Sequence, residues 1–377
     1  MPRSRRPHPA RAARSARRLL AVALALGLLA VAACSSSGGG AGGDGGDGTA
    51  DGGARDVTLM LNWTPNAQHA GIYAADALGY YEDAGIDLTI VEPADTGVEP
   101  VVAQGDADFG IAQAESLLPA RAAGVPVVSI ATLLPHNDSS LMALADSGIT
   151  RPRDLEGRTY GGYGGALETE LVKRLVECDG GDPDRVEFVE VGNVDYLTGM
   201  QRGRFDFAWV FNGWDALAAE EVQGVAVTTI PFIDHLDCIP DWYTPLLLTS
   251  ESMIEDDPEL VRDFLAATAR GYELAVADPQ QAADLLLDAV PELDRDLVEA
   301  STAYHASRFI EPGQGWGHQE APVWSAFGDF LVEAGLLDEP VDTDAAFTDD
   351  LLPAGAAAGA GGGAGAGGAT TTTAGGA

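Results

Sequence analysis

Short apolar runs alternate with segments of helical hydrophobic spacing along most of this chain. Apolar runs bounded by turn residues predict strands, and apolar residues that recur every three or four positions predict helices. The predicted strands lie at residues 57–63, 87–91, 109–112, 127–133, 159–161, 186–191, 207–211 and 244–249. The predicted helices lie at residues 66–78, 98–104, 116–123, 167–178, 196–202, 258–277, 279–290, 294–307 and 321–334. This alternation is typical of the α/β class, in which helices cover a parallel sheet.

The strands fall into two groups, and together they exceed what one hydrophobic core supports. We therefore predict two α/β lobes, with the chain crossing between them near Ala145 and Tyr243. The first lobe would comprise residues 56–145 and 243–352, and the second residues 146–242. Ligands of such sheets bind beyond the carboxyl ends of the strands, so two facing lobes predict a central ligand cleft.

The two ends of the chain differ in composition from this core. Residues 1–33 contain seven arginines, no acidic residue and an apolar run before Cys34, which is typical of a secretory signal. Small residues precede Cys34 and a Gly-rich tether extends to residue 55, so we expect lipid attachment at this cysteine, with an ordinary cleavage site as the alternative. General and twin-arginine export are both left open. The Ala/Gly/Thr-rich residues 353–377 are expected to be disordered.

The net charge of the chain limits the kinds of molecule that it is expected to bind. The formal net charge is −37, and removal of the arginine-rich leader leaves −44. A chain this acidic is not expected to bind nucleic acid, or to bind an anionic membrane other than through a lipid anchor. An acidic surface that keeps a monomer in solution explains the charge most simply.

The two remaining cysteines leave one question open. Cys178 and Cys238 form either a disulfide in an oxidising compartment or two free thiols. No Cys-x-x-Cys pair, Cys/His metal spacing or Gly-x-Ser-x-Gly elbow occurs in the sequence. The sequence therefore predicts no metal, no cofactor and no catalytic residue.

Candidate ligand contacts follow the predicted strands of the first lobe. Trp63 ends the first predicted strand, Asn66 and His69 lie at the start of the next helix, and Glu115 follows the strand at residues 109–112. Each has a simpler alternative: Asn66 caps the helix, His69 is an ordinary helix residue, and the carboxylate of Glu115 interacts with a helix N-terminus.

The second lobe supplies a further set of candidates after its glycine-rich segment and its strand at residues 207–211. These are Tyr163, Gly164, Glu168, Asn212 and Trp214, and Tyr243 lies at the second crossing. The glycine-rich segment is not a phosphate loop, because it lacks the Lys-Ser/Thr ending and places an acidic residue at the helix start. Aromatic rings and carboxylates with few cations predict a neutral or weakly cationic heteroaromatic amine as ligand, not a sulfonate or nitrate.

Several segments occur in the order typical of a known family. The likeness is carried by residues 61–69 (Leu-Asn-Trp-Thr-Pro-Asn-Ala-Gln-His), 71–75, 106–110, 160–165 and 243–245. On these segments the chain resembles the NMT1/THI5-like family. The resemblance implies a type II periplasmic-binding-protein-like fold, in which two α/β lobes surround a central ligand cleft.

The resemblance also implies a function. Bacterial members include ABC importer binding proteins for formylated aminopyrimidine precursors of thiamine, and relatives carry riboflavin, sulfonates, taurine or nitrate. Eukaryotic members are enzymes that build the pyrimidine from their own histidine and pyridoxal phosphate, with a cysteine-rich iron-binding motif near the second crossing. Residues 237–243 contain one cysteine. We therefore expect a non-enzymatic receptor, lipid-anchored on the extracytoplasmic face of the cell membrane, that works with an ABC permease and its ATPase.

The ligand contacts follow from the same resemblance. In the importer proteins aromatic rings stack on the pyrimidine, while an acid and an amide meet its polar edge. Carried over by position, the resemblance implies contacts from Trp63, Asn66, Tyr163, Glu168, Trp214 and Tyr243, with Glu115 and His69 at further family positions. A receptor for riboflavin or a sulfonate, and a synthase of the eukaryotic type, are the alternatives.

Overall fold

The structure is a computed structural model that describes residues 54–93, 97–192 and 194–354. The predicted signal, Cys34, the tether up to residue 53 and the tail from residue 355 lie outside the described residues. Within the described ranges, no helix combines the length and the apolar character needed to cross a bilayer.

The described residues contain ten strands and eleven α-helices. The strands are β1 (Arg55–Met60), β2 (Ile86–Val91), β3 (Phe109–Ala112), β4 (Val127–Thr132), β5 (Ser139–Leu144), β6 (Thr159–Gly162), β7 (Glu187–Glu190), β8 (Phe207–Phe211), β9 (Val227–Pro231) and β10 (Leu246–Ser250). The helices are α1 (Ala70–Ala77), α2 (Tyr80–Asp83), α3 (Val98–Gln104), α4 (Ala114–Ala122), α5 (Ala166–Cys178), α6 (Tyr196–Gln201), α7 (Glu251–Asp256), α8 (Pro258–Ala277), α9 (Pro279–Ala289), α10 (Arg295–Ala306) and α11 (Ala321–Glu333). Two π-helical segments, Asn212–Ala216 and Ala218–Val222, follow β8.

The strands form two five-stranded sheets of similar layout. The first sheet has the order β2-β1-β3-β10-β4, and the second has the order β7-β6-β8-β5-β9. The first three strands of each order are parallel, whereas β10 and β5 run antiparallel to both of their neighbours. The α/β class is confirmed, but the expectation of parallel sheets was wrong for β5 and β10. Each of these two strands enters its sheet directly from the other lobe, without a helical crossover that would make it parallel to its neighbours.

The chain crosses between the sheets twice. β4 ends at Thr132 in the first sheet and β5 begins at Ser139 in the second, so the first crossing lies at residues 133–138 and not near Ala145 as expected. The second crossing lies between β9 and β10 and contains Tyr243. β5 and β9 were not among the predicted strands, because serine and threonine residues interrupt their apolar pattern.

Buried aromatic residues join the lobes at the second crossing. The ring of Trp242 is stacked on Phe327 of α11, with centroids 5.0 Å apart, and packs edge-on against Trp209 of β8 at 6.1 Å. Residues of both lobes belong to this apolar cluster. A disulfide between Cys178 at the end of α5 and Cys238 ties the crossing to the second lobe. Of the two alternatives for these cysteines, the structure contains the disulfide.

Candidate ligand site between the lobes

The carboxyl ends of the parallel strands carry the loops that were predicted to hold a ligand. β1 and β3 end at one edge of the first sheet, and β6 and β8 end at the corresponding edge of the second. Trp63 follows β1 and Tyr163 follows β6, so the two aromatic residues occupy equivalent positions in the two lobes. They are 43% and 49% exposed, which leaves both rings accessible to a ligand.

Asn66 is buried and hydrogen-bonded within its own loop. Its Oδ1 accepts a hydrogen bond from the Gln68 N–H at 2.9 Å, and its Nδ2 donates to the Thr64 carbonyl at 3.2 Å. Asn66 therefore caps the helical turn that follows, as in the simpler of the two interpretations. Its role in the described structure is to hold the loop that presents Trp63.

His69 is also buried, and both of its ring nitrogens are occupied. Nδ1 accepts from the Asn66 N–H at 3.3 Å, and Nε2 lies 3.0 Å from the side-chain oxygen of Asn62. Burial lowers the pKa of His69 to about 3, and the neighbouring His305 acts in the same direction. A neutral imidazole that donates from Nε2 satisfies both contacts, so His69 supports the loop from within the core.

Glu168 organises the glycine-rich loop of the second lobe. Its Oε1 accepts from the Tyr160 hydroxyl at 3.1 Å and from the Tyr163 N–H at 3.2 Å, while Oε2 accepts from the Gly165 N–H at 3.0 Å. Gly164, inside this loop, has a φ of +82°, a left-handed conformation that favours glycine. Glu168 thus fixes the backbone that presents Tyr163. Its contact with a ligand amine stays a prediction.

Two predicted contacts lie against the second crossing. The half-buried Glu115 accepts a hydrogen bond from Trp242 Nε1 at 2.8 Å, and burial raises the pKa of Glu115 to about 7 despite its hydrogen bonds. Tyr243 requires a correction: it is only 3% exposed, and its hydroxyl accepts from the Glu320 N–H at 2.7 Å. The Tyr243 ring packs against Trp324, with ring centroids 5.7 Å apart. Tyr243 therefore belongs to the core and offers no face on which a ligand can stack.

Asp138, in the first crossing, connects the two lobes. Its Oδ2 accepts from the Gly213 N–H at 2.7 Å, and its Oδ1 accepts from the Tyr304 hydroxyl at 2.6 Å. Its carbonyl accepts from the backbone and side-chain N–H groups of Asn212, each at 3.0 Å. Packing here is tight, because a Cβ added to Gly213 would lie 2.3 Å from the His305 ring. Asp138 thereby links α10, which packs against α8 and α9, to the segment after β8.

Trp214 takes part in the same contact between lobes. It lies in the π-helical segment Asn212–Ala216, is partly buried, and packs against the apolar cluster of the first lobe. The adjacent Asp215 accepts from the Phe211 N–H at 3.0 Å, and burial raises the pKa of Asp215 to about 6. Stacking of Trp214 on a ligand stays a prediction.

A cavity of about 580 Å³ lies along the first crossing, between β9, the π-helical segments and the loop after α10. Its polar and charged lining residues are His136, Asn137, Asp138, Asn212, Glu220, Thr229, Asp234, Tyr304, Ser307, Arg308 and Glu311. Of the predicted contacts in the described chain, Asn212 alone lines it.

Gly164 and Glu168 line a separate pocket of about 210 Å³ in the second lobe. Across the described ranges, no three His, Cys, Asp or Glu side chains are arranged to hold a metal ion.

Two basic groups beside this cavity were not among the predicted contacts. His136 Nδ1 lies 2.6 Å from Asp241 Oδ2, and Nε2 lies 3.1 Å from Glu311 Oε1. The hydrogen bond to Asp241 is the main reason why the pKa of His136 is raised to about 9. The Arg308 guanidinium lies over the Tyr304 ring, 3.6 Å from its centroid. The cavity therefore differs in charge from the predicted contacts, which include no arginine or lysine. The spacing of Arg308 four residues after Tyr304 was the local signal in the sequence.

The chain matches the model of a known protein family. The family model described as "NMT1/THI5 like" matches residues 66–282, more than half of the chain. The chain belongs to this family. The match begins at Asn66 and extends through the glycine-rich loop and both crossings, so the NMT1/THI5-like resemblance is confirmed.

Three relatives of this chain differ in the function that their names describe. A 4-amino-5-hydroxymethyl-2-methylpyrimidine phosphate synthase of Legionella pneumophila is 29% identical, over 79% of this chain and 92% of the relative. A formylaminopyrimidine-binding protein of Halalkalibacterium halodurans is 28% identical, over 78% and 89%. The riboflavin-binding protein RibY of Chloroflexus aurantiacus is 29% identical, over 80% and 87%. Relatives named as binding proteins and as an enzyme therefore resemble this chain at similar sequence identity.

A solved structure establishes the fold of this NMT1/THI5-like protein. The alkanesulfonate-binding protein SsuA of Xanthomonas axonopodis, bound to MOPS, matches with a TM-score of 0.60 at 16% identity. The match covers 78% of this chain and 99% of SsuA. The predicted periplasmic-binding-protein-like fold is confirmed by this likeness.

Proposed function

We propose that this NMT1/THI5-like protein is the solute-binding component of an ABC importer and binds a thiamine pyrimidine precursor between its lobes. The observation that carries the proposal is the pair of exposed rings, Trp63 and Tyr163, at equivalent strand ends of the two lobes. A planar heteroaromatic ligand gains from stacking on such faces. Movement of the lobes about the two crossings would bring both rings to the ligand.

The charge of the loops supports an amine-bearing heterocycle over an anion. None of the loops at residues 61–66, 113–116, 163–168 and 212–215 contains arginine or lysine. A sulfonate bound at these loops would therefore lack the guanidinium or ammonium donors that such groups prefer. The carboxylate of Glu168, which accepts from the Tyr163 N–H in the same loop, would favour the amino edge of a pyrimidine over an anion.

Two features support an extracytoplasmic location with a lipid anchor. The Cys178–Cys238 disulfide is of the kind that persists in oxidising compartments. The arginine-rich leader ending before Cys34 supports export and lipid attachment, although both lie outside the described residues. An anchor at the end of a long tether would leave the lobes free to deliver ligand to a permease and its ATPase.

Calorimetric titration tests the proposed ligand. The purified protein would be titrated with formylaminopyrimidine, hydroxymethylpyrimidine, riboflavin and an alkanesulfonate in separate experiments. We expect binding of the pyrimidines, weakened about tenfold by Trp63→Ala or Tyr163→Ala through loss of a stacking surface. Absence of pyrimidine binding together with tight binding of riboflavin or the sulfonate would reject the ligand and retain the class of protein.

Leu78→Ala provides a matched control for the aromatic variants. Leu78 is also a large exposed apolar residue of the first lobe, but it caps the end of α1 that points away from the strand ends. Its removal should leave the affinity for the pyrimidine unchanged. An equal loss of affinity in this variant would show that the effect of Trp63→Ala is not specific to the proposed site.

A pyrimidine synthase is the second candidate, because one of the relatives above carries that name. The cysteine in residues 237–243, Cys238, is joined to Cys178 and so is not a free thiolate for a metal. Incubation of the protein with pyridoxal phosphate and iron, followed by mass spectrometry, tests this candidate. Formation of a pyrimidine product, with loss of a histidine from the protein, would reject the binding-protein proposal.

A further inference from the structure

The first crossing is fixed to a different lobe at each end. At its start, the Leu134 side chain is buried in the apolar core of the first lobe, and the Leu134 carbonyl accepts from the Thr132 hydroxyl at 2.6 Å. At its end, the Asp138 carbonyl accepts from the Asn212 N–H at 3.0 Å, which extends the pairing of β5 with β8 in the second sheet. The residues between these anchors, 135–137, are termed the first pivot.

The second crossing is anchored in the same way, in the opposite order. The Cys178–Cys238 disulfide holds its start against α5 of the second lobe. Its end belongs to the first lobe, because the Tyr243 carbonyl accepts from the Ala114 N–H at the start of α4 at 3.0 Å. The residues between these anchors, 239–242, are termed the second pivot.

Both pivots are short, and each contains a proline, Pro135 in the first and Pro240 in the second. The proline ring fixes its own φ, and it also restricts the residue before it. A change in the angle between two lobes is absorbed by a few residues of this kind. Few backbone bonds in each pivot are therefore left to turn when the lobes move.

A single carboxylate joins the two pivots. Asp241 Oδ1 accepts from the Asn137 N–H at 3.1 Å and from the Trp242 N–H at 2.9 Å, while Oδ2 lies 2.6 Å from His136 Nδ1. The Asp241 side chain is 12% exposed, so water competes poorly for its oxygens. His136 Nε2 lies 3.1 Å from Glu311 of the first lobe. A protonated imidazole donates to both carboxylates, in agreement with the raised pKa of His136.

We propose that Asp241 and His136 fasten the two pivots to each other, so that the lobes rotate about one axis through both crossings. Two linked pivots define a single axis, whereas two independent pivots would also allow the lobes to twist. The inference deepens the proposed function, because it rests on the lobe movement proposed there. It gives these two residues a role in positioning the lobes, not in contacting the ligand.

Distances between spin labels on the two lobes test this role without any ligand. The labels would replace Glu82 of α2 and Asp184 of the second lobe, both exposed, through a ketone-bearing residue that leaves the native cysteines unmodified. We expect His136→Ala to broaden the distribution of distances. The population outside the wild-type range should rise by up to about fivefold, the change that a partly exposed ion pair can produce.

Asp241→Asn separates the charge of this carboxylate from its backbone contacts. The amide keeps an oxygen for the two N–H groups but removes the negative charge that faces His136. It should broaden the distribution in the same way as His136→Ala, and the double variant should broaden it no further than either single variant. Non-additivity of this kind is expected when two residues act through one shared contact.

His318→Ala is the matched control. His318 Nδ1 lies 2.8 Å from Asp349 Oδ2, and this histidine–aspartate pair lies within the first lobe. Its removal should leave the distribution unchanged. Equal broadening in this variant, or an additive effect in the double variant of His136 and Asp241, would overturn the positioning role.

A distribution that neither His136→Ala nor Asp241→Asn changes would also overturn it, while the proposed ligand would stand. Because the distances are measured without ligand, a failure of the pyrimidines to bind would reject the proposed ligand alone.

Discussion

Tyr304→Phe would remove one hydroxyl group from the contact between α10 and the second lobe. That hydroxyl donates to Asp138 Oδ1 at 2.6 Å, and the other oxygen of the same carboxylate accepts from the Gly213 N–H at 2.7 Å. Phenylalanine keeps the aromatic ring under Arg308, so packing and the cation–π contact are retained. The variant therefore isolates a single hydrogen bond.

The magnitude follows from the burial and charge of the acceptor. Asp138 is 7% exposed, so water replaces the lost donor poorly. Hydrogen bonds to charged groups contribute about 1.5–3 kcal/mol, and we expect a loss of this size in the free energy of unfolding. Tyr81→Phe is the matched control, because its hydroxyl bonds to Thr268 at 2.8 Å within the first lobe. A neutral bond of this kind contributes about 0.5–1.5 kcal/mol.

Urea unfolding and small-angle X-ray scattering separate stability from lobe arrangement. Both variants should lower the free energy of unfolding. Only Tyr304→Phe should enlarge the radius of gyration of the ligand-free protein and speed ligand dissociation, because of the two bonds compared only the Tyr304 bond links one lobe to the other.

Equal radii and equal dissociation rates for Tyr304→Phe and Tyr81→Phe would refute the reasoning. The bond to Asp138 would then be an ordinary local contribution to stability, without a role in holding the lobes together.

Three further predictions concern other parts of the described chain. Glu168→Gln should lower the free energy of unfolding by roughly 1 kcal/mol, because an amide cannot accept all three hydrogen bonds of the glycine-rich loop; an unchanged urea midpoint would contradict this. The pKa of His136 is raised from 6.5 to about 9, chiefly by Asp241, so its stabilising effect is complete below pH 6.5 and is lost as the pH rises through about 9. Melting temperatures measured between about pH 6 and pH 10 should show this decline, and His136→Asn should flatten it. Reduction of the Cys178–Cys238 disulfide, which joins residues 60 apart, should cost about 4 kcal/mol of unfolding free energy, and no shift in the urea midpoint on reduction would contradict this.

The local pattern of apolar and polar residues predicted those elements that are set by residues close together in the sequence. The period of apolar positions predicted the α/β class and all of the longer helices, because periodicity is a property of a single segment. It also placed Trp63 at the end of a strand and Tyr163 after one, and the structure leaves both residues exposed. The NMT1/THI5-like resemblance supplied the fold type, which periodicity alone does not specify.

Prediction of the site was weaker because side-chain roles depend on burial. The pattern could not distinguish exposed Trp63 from buried Tyr243, since both are aromatic residues next to strands. Asn66 and His69 look like ligand contacts in sequence, yet their polar atoms are used within their own loop. Glu168 both caps the start of α5 and holds the loop of Tyr163, and its spacing in the sequence does not distinguish these roles from contact with a ligand.

Sequence alone determined the longer helices, eight of the ten strands and the loops that carry the exposed rings. Only the tertiary structure decided that β5 belongs to the second sheet, and that Cys178 pairs with Cys238. It also decided that Asp138 meets Tyr304, 166 positions away. Such contacts arise when whole lobes pack against each other, so no pattern within one segment can encode them.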